Sequence, residues 1–138
     1  MALGYDGNIY ACGGINESSV VLSSCERFNW KKSKWEVISN MKTPRRCFTL
    51  VSLPHGILAI GGYNGKNYLN NVELFDFDKE KWVELPPLTM PRFAHTAVVT
   101  NDLQSIIVSG GFNKQPLKSV EVFDIMEGKW KLGQEMTT

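Results

Sequence analysis

The chain is poor in the residues on which metal and nucleophilic chemistry most often rest: two histidines and three cysteines in 138 residues. Cys12, Cys25 and Cys47 are an odd number at unmatched spacings, with no CxxC pair, which excludes a zinc site of the usual spacing. They read as reduced thiols of a cytoplasmic or nuclear protein, serving as small buried hydrophobes. No apolar run approaches the roughly 18 residues of a membrane helix. The start, MALGYDGNIY, has neither the basic nor the apolar region of a signal peptide. Charge of one sign is also missing. Fifteen Lys and Arg against fourteen Asp and Glu leave +1, which argues against attachment to nucleic acid or membrane by bulk charge. Basic and aromatic residues do not alternate as on RNA-binding sheets. Neither GxSxG nor a Ser/His/Asp grouping occurs. No stretch sustains a 3.6-residue period, so no helix is expected.

What the chain has is a copy of itself. Double glycines stand at Gly13-Gly14, Gly61-Gly62 and Gly110-Gly111, 48 and 49 residues apart. Trp35, Trp82 and Trp130 are 47 and 48 apart. Between each pair lies a third mark, LSSCERF, LNNVELF or LKSVEVF, which keeps Glu26, Glu73 and Glu121 in register, and likewise Phe28, Phe75 and Phe123. Thr43-Pro44-Arg45 and Met90-Pro91-Arg92 repeat at 47. Four marks on one period define a repeat. Its unit is all β: Arg46–Leu53, Leu58–Gly62, Val72–Phe77 and Lys81–Leu85, then Ala94–Val99, Ile106–Gly111, Val120–Ile125 and Lys129–Leu132, with turn chemistry between them. Val72 and Leu74 lie on one parity and Phe75 and Phe77 on the other, so the sheet is expected to be covered on both faces. The recurring glutamates are expected to be buried or half-buried, bonded to backbone N–H or to the repeat's own arginine, since an unpaired buried carboxylate costs several kcal/mol. About 48 residues in four short strands, covered on both sides, is the description of a propeller blade.

These marks resemble the Kelch repeat, in the flavour of BTB–Kelch proteins. The double glycine ends the second strand, an aromatic sits in the third, a tryptophan in the fourth, and Pro-Arg precedes the first. Met41–Leu88 looks like a complete repeat, and the resemblance covers almost the whole chain. It implies an all-β fold: a partial Kelch propeller of about three four-stranded antiparallel blades. Residues 1–40 are expected to form an incomplete blade lacking most of its first strand, 41–87 and 88–135 two whole blades, and 136–138 the start of another. Propellers need roughly four to eight blades, and Kelch rings usually have about six. Two open blade faces, each baring on the order of 500 Å² of apolar surface, would cost roughly 12 kcal/mol apiece. The chain is therefore read as part of a longer protein. The alternative is a homodimer whose two arcs close one six-bladed ring.

Function is expected in the loops rather than in chemistry. His55 lies in a Pro-His-Gly turn, and His95 takes the place that Phe48 has in the previous blade, so neither reads as catalytic. Asp124…Gly128-Lys129-Trp130 has the wrong spacing for a sialidase Asp-box. The Tyr, His and Cys ligands of a copper oxidase cannot be assembled. No cofactor or metal and no enzymatic activity are expected. In the family the partner-facing rim combines the loops after each double glycine with those around Pro-Arg. Here these are Ile15–Ser19, Tyr63–Tyr68, Phe112–Lys118, Lys42–Arg46 and Met90–Phe93. Lys42, Arg45, Arg46, Lys66, Arg92, Lys114 and Lys118 oppose only Glu17, about +6 on a chain of +1, which leaves the other rim net acidic. The expectation is a protein partner presenting an acidic segment to Arg45, Arg46, Lys66, Arg92 and Lys114. Tyr63, Tyr68, Phe93 and Phe112 would serve as aromatic anchors, with Asn64 and Asn113 in the same loops. The competing role for Arg45 and Arg92 is to brace backbone carbonyls. By resemblance the module would recruit substrates to a cullin-based ubiquitin ligase through a BTB domain outside this chain. An actin-binding cytoskeletal role is the alternative, and a propeller enzyme a more distant one.

Overall fold

The computed structural model describes all residues, 1–138. Twelve strands and no helix make three four-stranded antiparallel sheets, each ordered as the chain runs. The first holds β1 (Ala2–Leu3), β2 (Ile9–Cys12), β3 (Cys25–Asn29) and β4 (Lys34–Ile38). The second holds β5 (Thr49–Leu53), β6 (Gly56–Tyr63), β7 (Tyr68–Asp76) and β8 (Lys81–Leu85). The third holds β9 (Thr96–Val99), β10 (Ser105–Ser109), β11 (Val120–Asp124) and β12 (Lys129–Leu132). This is the architecture of a partial propeller.

Two cores fill the wedges between blades. Tyr10 and Cys25 of the first blade meet Ile57, Ala59, Phe75 and Trp82 of the second, with Met41 of the linker among them. On the other side of the same sheet, Leu58, Ile60 and Val72 meet Ile106, Val108 and Phe123 of the third blade, with Leu88 of the next linker. The middle blade is thus covered on both faces: β6 is buried from Gly56 through Gly62. The outer blades are not, and β10 and β11 alternate buried with half-buried residues. The two-sided apolar pattern of Val72–Phe77 follows directly from this sandwiching.

The repeat marks become cross-strand pairs. Phe28, Phe75 and Phe123 stand opposite Trp35, Trp82 and Trp130, with ring centroids 5.3, 5.4 and 5.0 Å apart. Several strand boundaries differ from the sequence reading, most of them by one or two residues. The first strands begin at Thr49 and Thr96 rather than at Arg46 and Ala94, because Cys47 (φ 50°) and Ala94 (φ 52°) turn into the left-handed region. Arg46 and Phe93 survive as isolated bridges to Tyr63 and Phe112. β7 starts four residues early, at Tyr68, because pairing resumes beyond a bulge between Ile60 and Gly62.

Candidate functional site

The linkers that shape the rim are fixed from inside. Arg45 is wholly buried. Its guanidinium donates to Glu73 at 2.5 Å, to the Gly61 carbonyl at 2.8 Å and to the Asn71 carbonyl at 3.1 Å. Glu73, also buried, accepts the N–H groups of Lys42 and Thr43. The third blade repeats the unit. Arg92 reaches Glu121 at 2.9 Å, Gly110 at 2.9 Å and Ser119 at 3.0 Å, while Glu121 accepts from the N–H of Thr89 and Met90. Burial holds the Arg45 pKa below its ordinary value, and the adjacent Glu73 carboxylate offsets only part of that.

This geometry corrects two expectations. Arg45 and Arg92 cannot meet a partner at the rim, because their charges are spent between the blades; they brace backbone instead. Glu26 is exposed rather than buried, and no residue of the chain bonds to its carboxylate. The rim's cationic excess shrinks accordingly, and Lys42 is also paired, with Glu84 at 3.7 Å.

What stays at the rim is an aromatic cluster with cations around it. Tyr63, at the end of β6, and Tyr68, at the start of β7, are 5.6 Å apart between centroids. Phe93 stacks on Tyr68 at 5.3 Å with ring planes 8° apart, and Phe112 closes on Phe93 at 5.7 Å. The paired backbones set this up. Arg46 and Tyr63 exchange two hydrogen bonds, as do Phe93 and Phe112, one repeat later. Arg46 lies over the Tyr63 ring at 5.4 Å. The loops are self-braced: Asn64 Oδ1 accepts from the N–H of Lys66 and Asn67, the Tyr63 hydroxyl donates to Gly65, and Asn113 N–H donates to Gln115. Asn64 therefore forms its turn with the oxygen a ligand would have used. Lys66, Lys114 and Lys118 project into solvent. The structure thus unites the four aromatic residues and Arg46, and leaves the lysines on the loops around them.

Met41 and Leu88, buried anchors of the two linkers, were read from the sequence only as repeat boundaries, although their 47-residue spacing carried the signal. His95 packs beneath the rim, nine-tenths buried, with neither ring nitrogen bonded. Burial, and then the Arg92 charge, lower its pKa from 6.5 to about 4. At the opposite end an apolar cleft of about 260 Å³ opens among Leu53, Leu74, Leu103 and Ile125, with His55 beside it. No three His, Cys, Asp or Glu side chains converge in a metal-binding arrangement.

The profile of the KLHDC2/KLHL20/DRC7 Kelch-repeats domain matches residues 1–137. Human Kelch-like protein 33 is 31% identical over 105 residues, which are 75% of this chain and 19% of that protein. Kelch-like protein 7 of Rattus norvegicus is 38% identical over 75 residues, 54% of this chain and 13% of that protein. Kelch-like protein 41a of Danio rerio is 32% identical over 77 residues, 56% and 13% of the two. The chain spans less than a fifth of the length of each of these relatives. With its three sheets, its periodic Gly-Gly, Glu and Trp marks and a match across its whole length, the chain belongs to the Kelch-repeat family.

Proposed function

We propose that this Kelch domain is a non-enzymatic protein-interaction module whose loop rim grips an acidic segment of a partner protein. The observation that carries this is the cluster of Tyr63, Tyr68, Phe93 and Phe112, half-buried and capped by Arg46. Aromatic residues and arginine together are the usual anchors of an interface core. They are held here on braced loops, so little ordering entropy opposes binding. Exposed Lys66, Lys114 and Lys118 supply a cationic surround that favours carboxylates. Arg46 is free of any carboxylate in the chain and offers its fork to one. In a longer protein of the Kelch-like kind, this grip would bring a substrate to a cullin-based ubiquitin ligase in a reducing compartment.

Fluorescence polarisation with labelled peptides tests the reading. An aromatic-containing peptide rich in Asp and Glu should bind, and its Asn/Gln counterpart should not. Affinity should fall as salt rises. Lys66→Glu with Lys114→Glu should weaken binding by about tenfold or more, and Tyr68→Ala should do the same. Equal binding of the acidic and neutral peptides would defeat it.

A further inference from the structure

The two wedges differ at the end opposite the rim. In the first wedge a ring fills that end. Phe77 stacks on Tyr10 with centroids 5.6 Å and planes 22° apart. Its tip lies over Gly4, where an added methyl group would meet it at 3.2 Å. Polar bonds tie the same residues. The Tyr10 hydroxyl donates to Asp6 at 2.7 Å. Arg27, opposite Tyr10 on β3, reaches across the wedge to Glu80 at 2.9 Å.

The second wedge exchanges every one of these groups. Strand register sets Leu58 in the place of Tyr10, Leu74 in that of Arg27 and Leu53 in that of Gly4. Ile125 takes the place of Phe77. Gly128 closes its turn on Asp124 as Glu80 closes on Asp76, and it brings no carboxylate. Neither a ring nor an ion pair then bridges the sheets, and the exchange leaves the apolar cleft of about 260 Å³. Its walls are the facing sheets of the second and third blades, so it lies inside the arc and on neither outer face. Leu53, Leu74 and Ile125 pack on the core below it. His55, in the turn between β5 and β6, lines it too, and its exposed imidazole makes no hydrogen bond within the chain.

We propose that this cleft is a binding site for a small neutral aromatic molecule, one ring or a fused pair, with His55 bonding its polar group. The size suits. A dry apolar cavity of about 150 Å³ holds benzene, so about 260 Å³ admits a substituted or bicyclic ring. Burying that ring against leucine and isoleucine supplies the affinity. The surround does not suit a protein surface. Asn101, Asp102 and Gln104 flank Leu103, and Met126 and Glu127 follow Ile125, all exposed. Pro54 and Met126 alone are too little exposed apolar area for an interface of about 1,000 Å². Charge narrows the ligand further. Asp102 accepts from the Thr100 hydroxyl and the Gln104 N–H, which lower its pKa and keep it an anion beside Leu103. A negatively charged ring is disfavoured there. The site lies at the far end from the rim and does not depend on the acidic-segment reading.

The test is a titration of the full chain with fluoroindole, followed by fluorine NMR of the probe and nitrogen-15 spectra of the protein. The probe should bind with a Kd of about 1 mM or tighter, as so few atoms allow. The amides of Gly56, Leu74, Leu103 and Ile125 should shift. Indole carboxylate, an anion, should bind about tenfold more weakly. His55→Ala should weaken fluoroindole about fivefold, the weight of one hydrogen bond. Ile125→Phe, which installs the residue of the first wedge, should weaken it by about tenfold or more. Leu103→Trp, on a turn, should do the same and keeps the test open where melting curves show that Ile125→Phe has not folded. No saturable binding, shifts outside the cleft, or binding that ignores Leu103→Trp would overturn the proposal. So would tighter binding of N-acetyl-tryptophan amide than of fluoroindole, which would mark a protein anchor instead.

Discussion

Arg45 and Arg92 carry full charges into the space between two sheets, where an unpaired ion would be untenable. Each is matched by one carboxylate, and that carboxylate is completed by two backbone N–H groups. Removing the acid leaves the guanidinium buried beside neutral carbonyls. Glu73→Gln or Glu121→Gln should therefore cost about 3–5 kcal/mol. The same change at exposed Glu26 should stay within about 0.5 kcal/mol. Thermal or urea unfolding of the three variants checks the ranking. His95 gives a second test. Its folded pKa, about 4, lies below its ordinary 6.5, so the folded chain holds it neutral while the unfolded chain takes up a proton. Stability is then full above about pH 6.5 and falls as pH drops toward about 4, by roughly 3 kcal/mol in all. His95→Phe, which installs the residue of the neighbouring repeat, should flatten the loss between about pH 7 and pH 5. Melting curves across that range that match the parent's would contradict the assignment.

Among elements, the joint between the second and first strands of a blade decides the shape of the rim. Gly62, at φ 107°, sits against the segment that leads into the first strand of its own blade, and a methyl there would press Phe48 at 2.7 Å. Gly14, at φ 101°, has open space instead. Gly62→Ala should cost about 2–4 kcal/mol, from left-handed strain plus overpacking, and Gly14→Ala about 1–2 kcal/mol from strain alone. Equal losses in denaturant titrations would show that packing is not involved. This contrast also marks how far the sequence was legible. Strand order and blade number followed from residues that recur in register, because each repeat solves its packing problem locally. The late starts at Thr49 and Thr96 were hidden, since nothing in Arg46-Cys47 or Phe93-Ala94 advertises a left-handed residue. Glu26, Glu73 and Glu121 look alike in the sequence. Only the neighbour on the next sheet separates a buried ion pair from an exposed acid. The four rim aromatics could be named one by one, but their stacking depends on how Arg46 and Phe93 pair across to the following loop.

The whole molecule is an arc whose middle member is sheltered on both sides and whose outer members are sheltered on one. Opening free energy should follow that gradient. Hydrogen exchange should be slowest at Ile57–Ile60 and Val72, which lie in the two wedges, and fastest at β1, β4 and β12, where Leu3, Val37 and Leu132 are 67%, 80% and 73% exposed. Uniform protection across the three sheets would mean that the arc opens as one unit.

The first linker is tied to the blade behind it by main chain, through Met41 N to Ser23 O and Arg45 N to Leu22 O, and to the blade ahead through the Glu73 carboxylate, which accepts the Lys42 N–H and the Arg45 guanidinium. The fastening is thus written inside the repeated stretch itself. Duplicating or deleting one stretch in a gene transfers the clasp together with the body it closes. No compensating change elsewhere is then required for the new junction to form, and such chains can alter their number of units in whole steps.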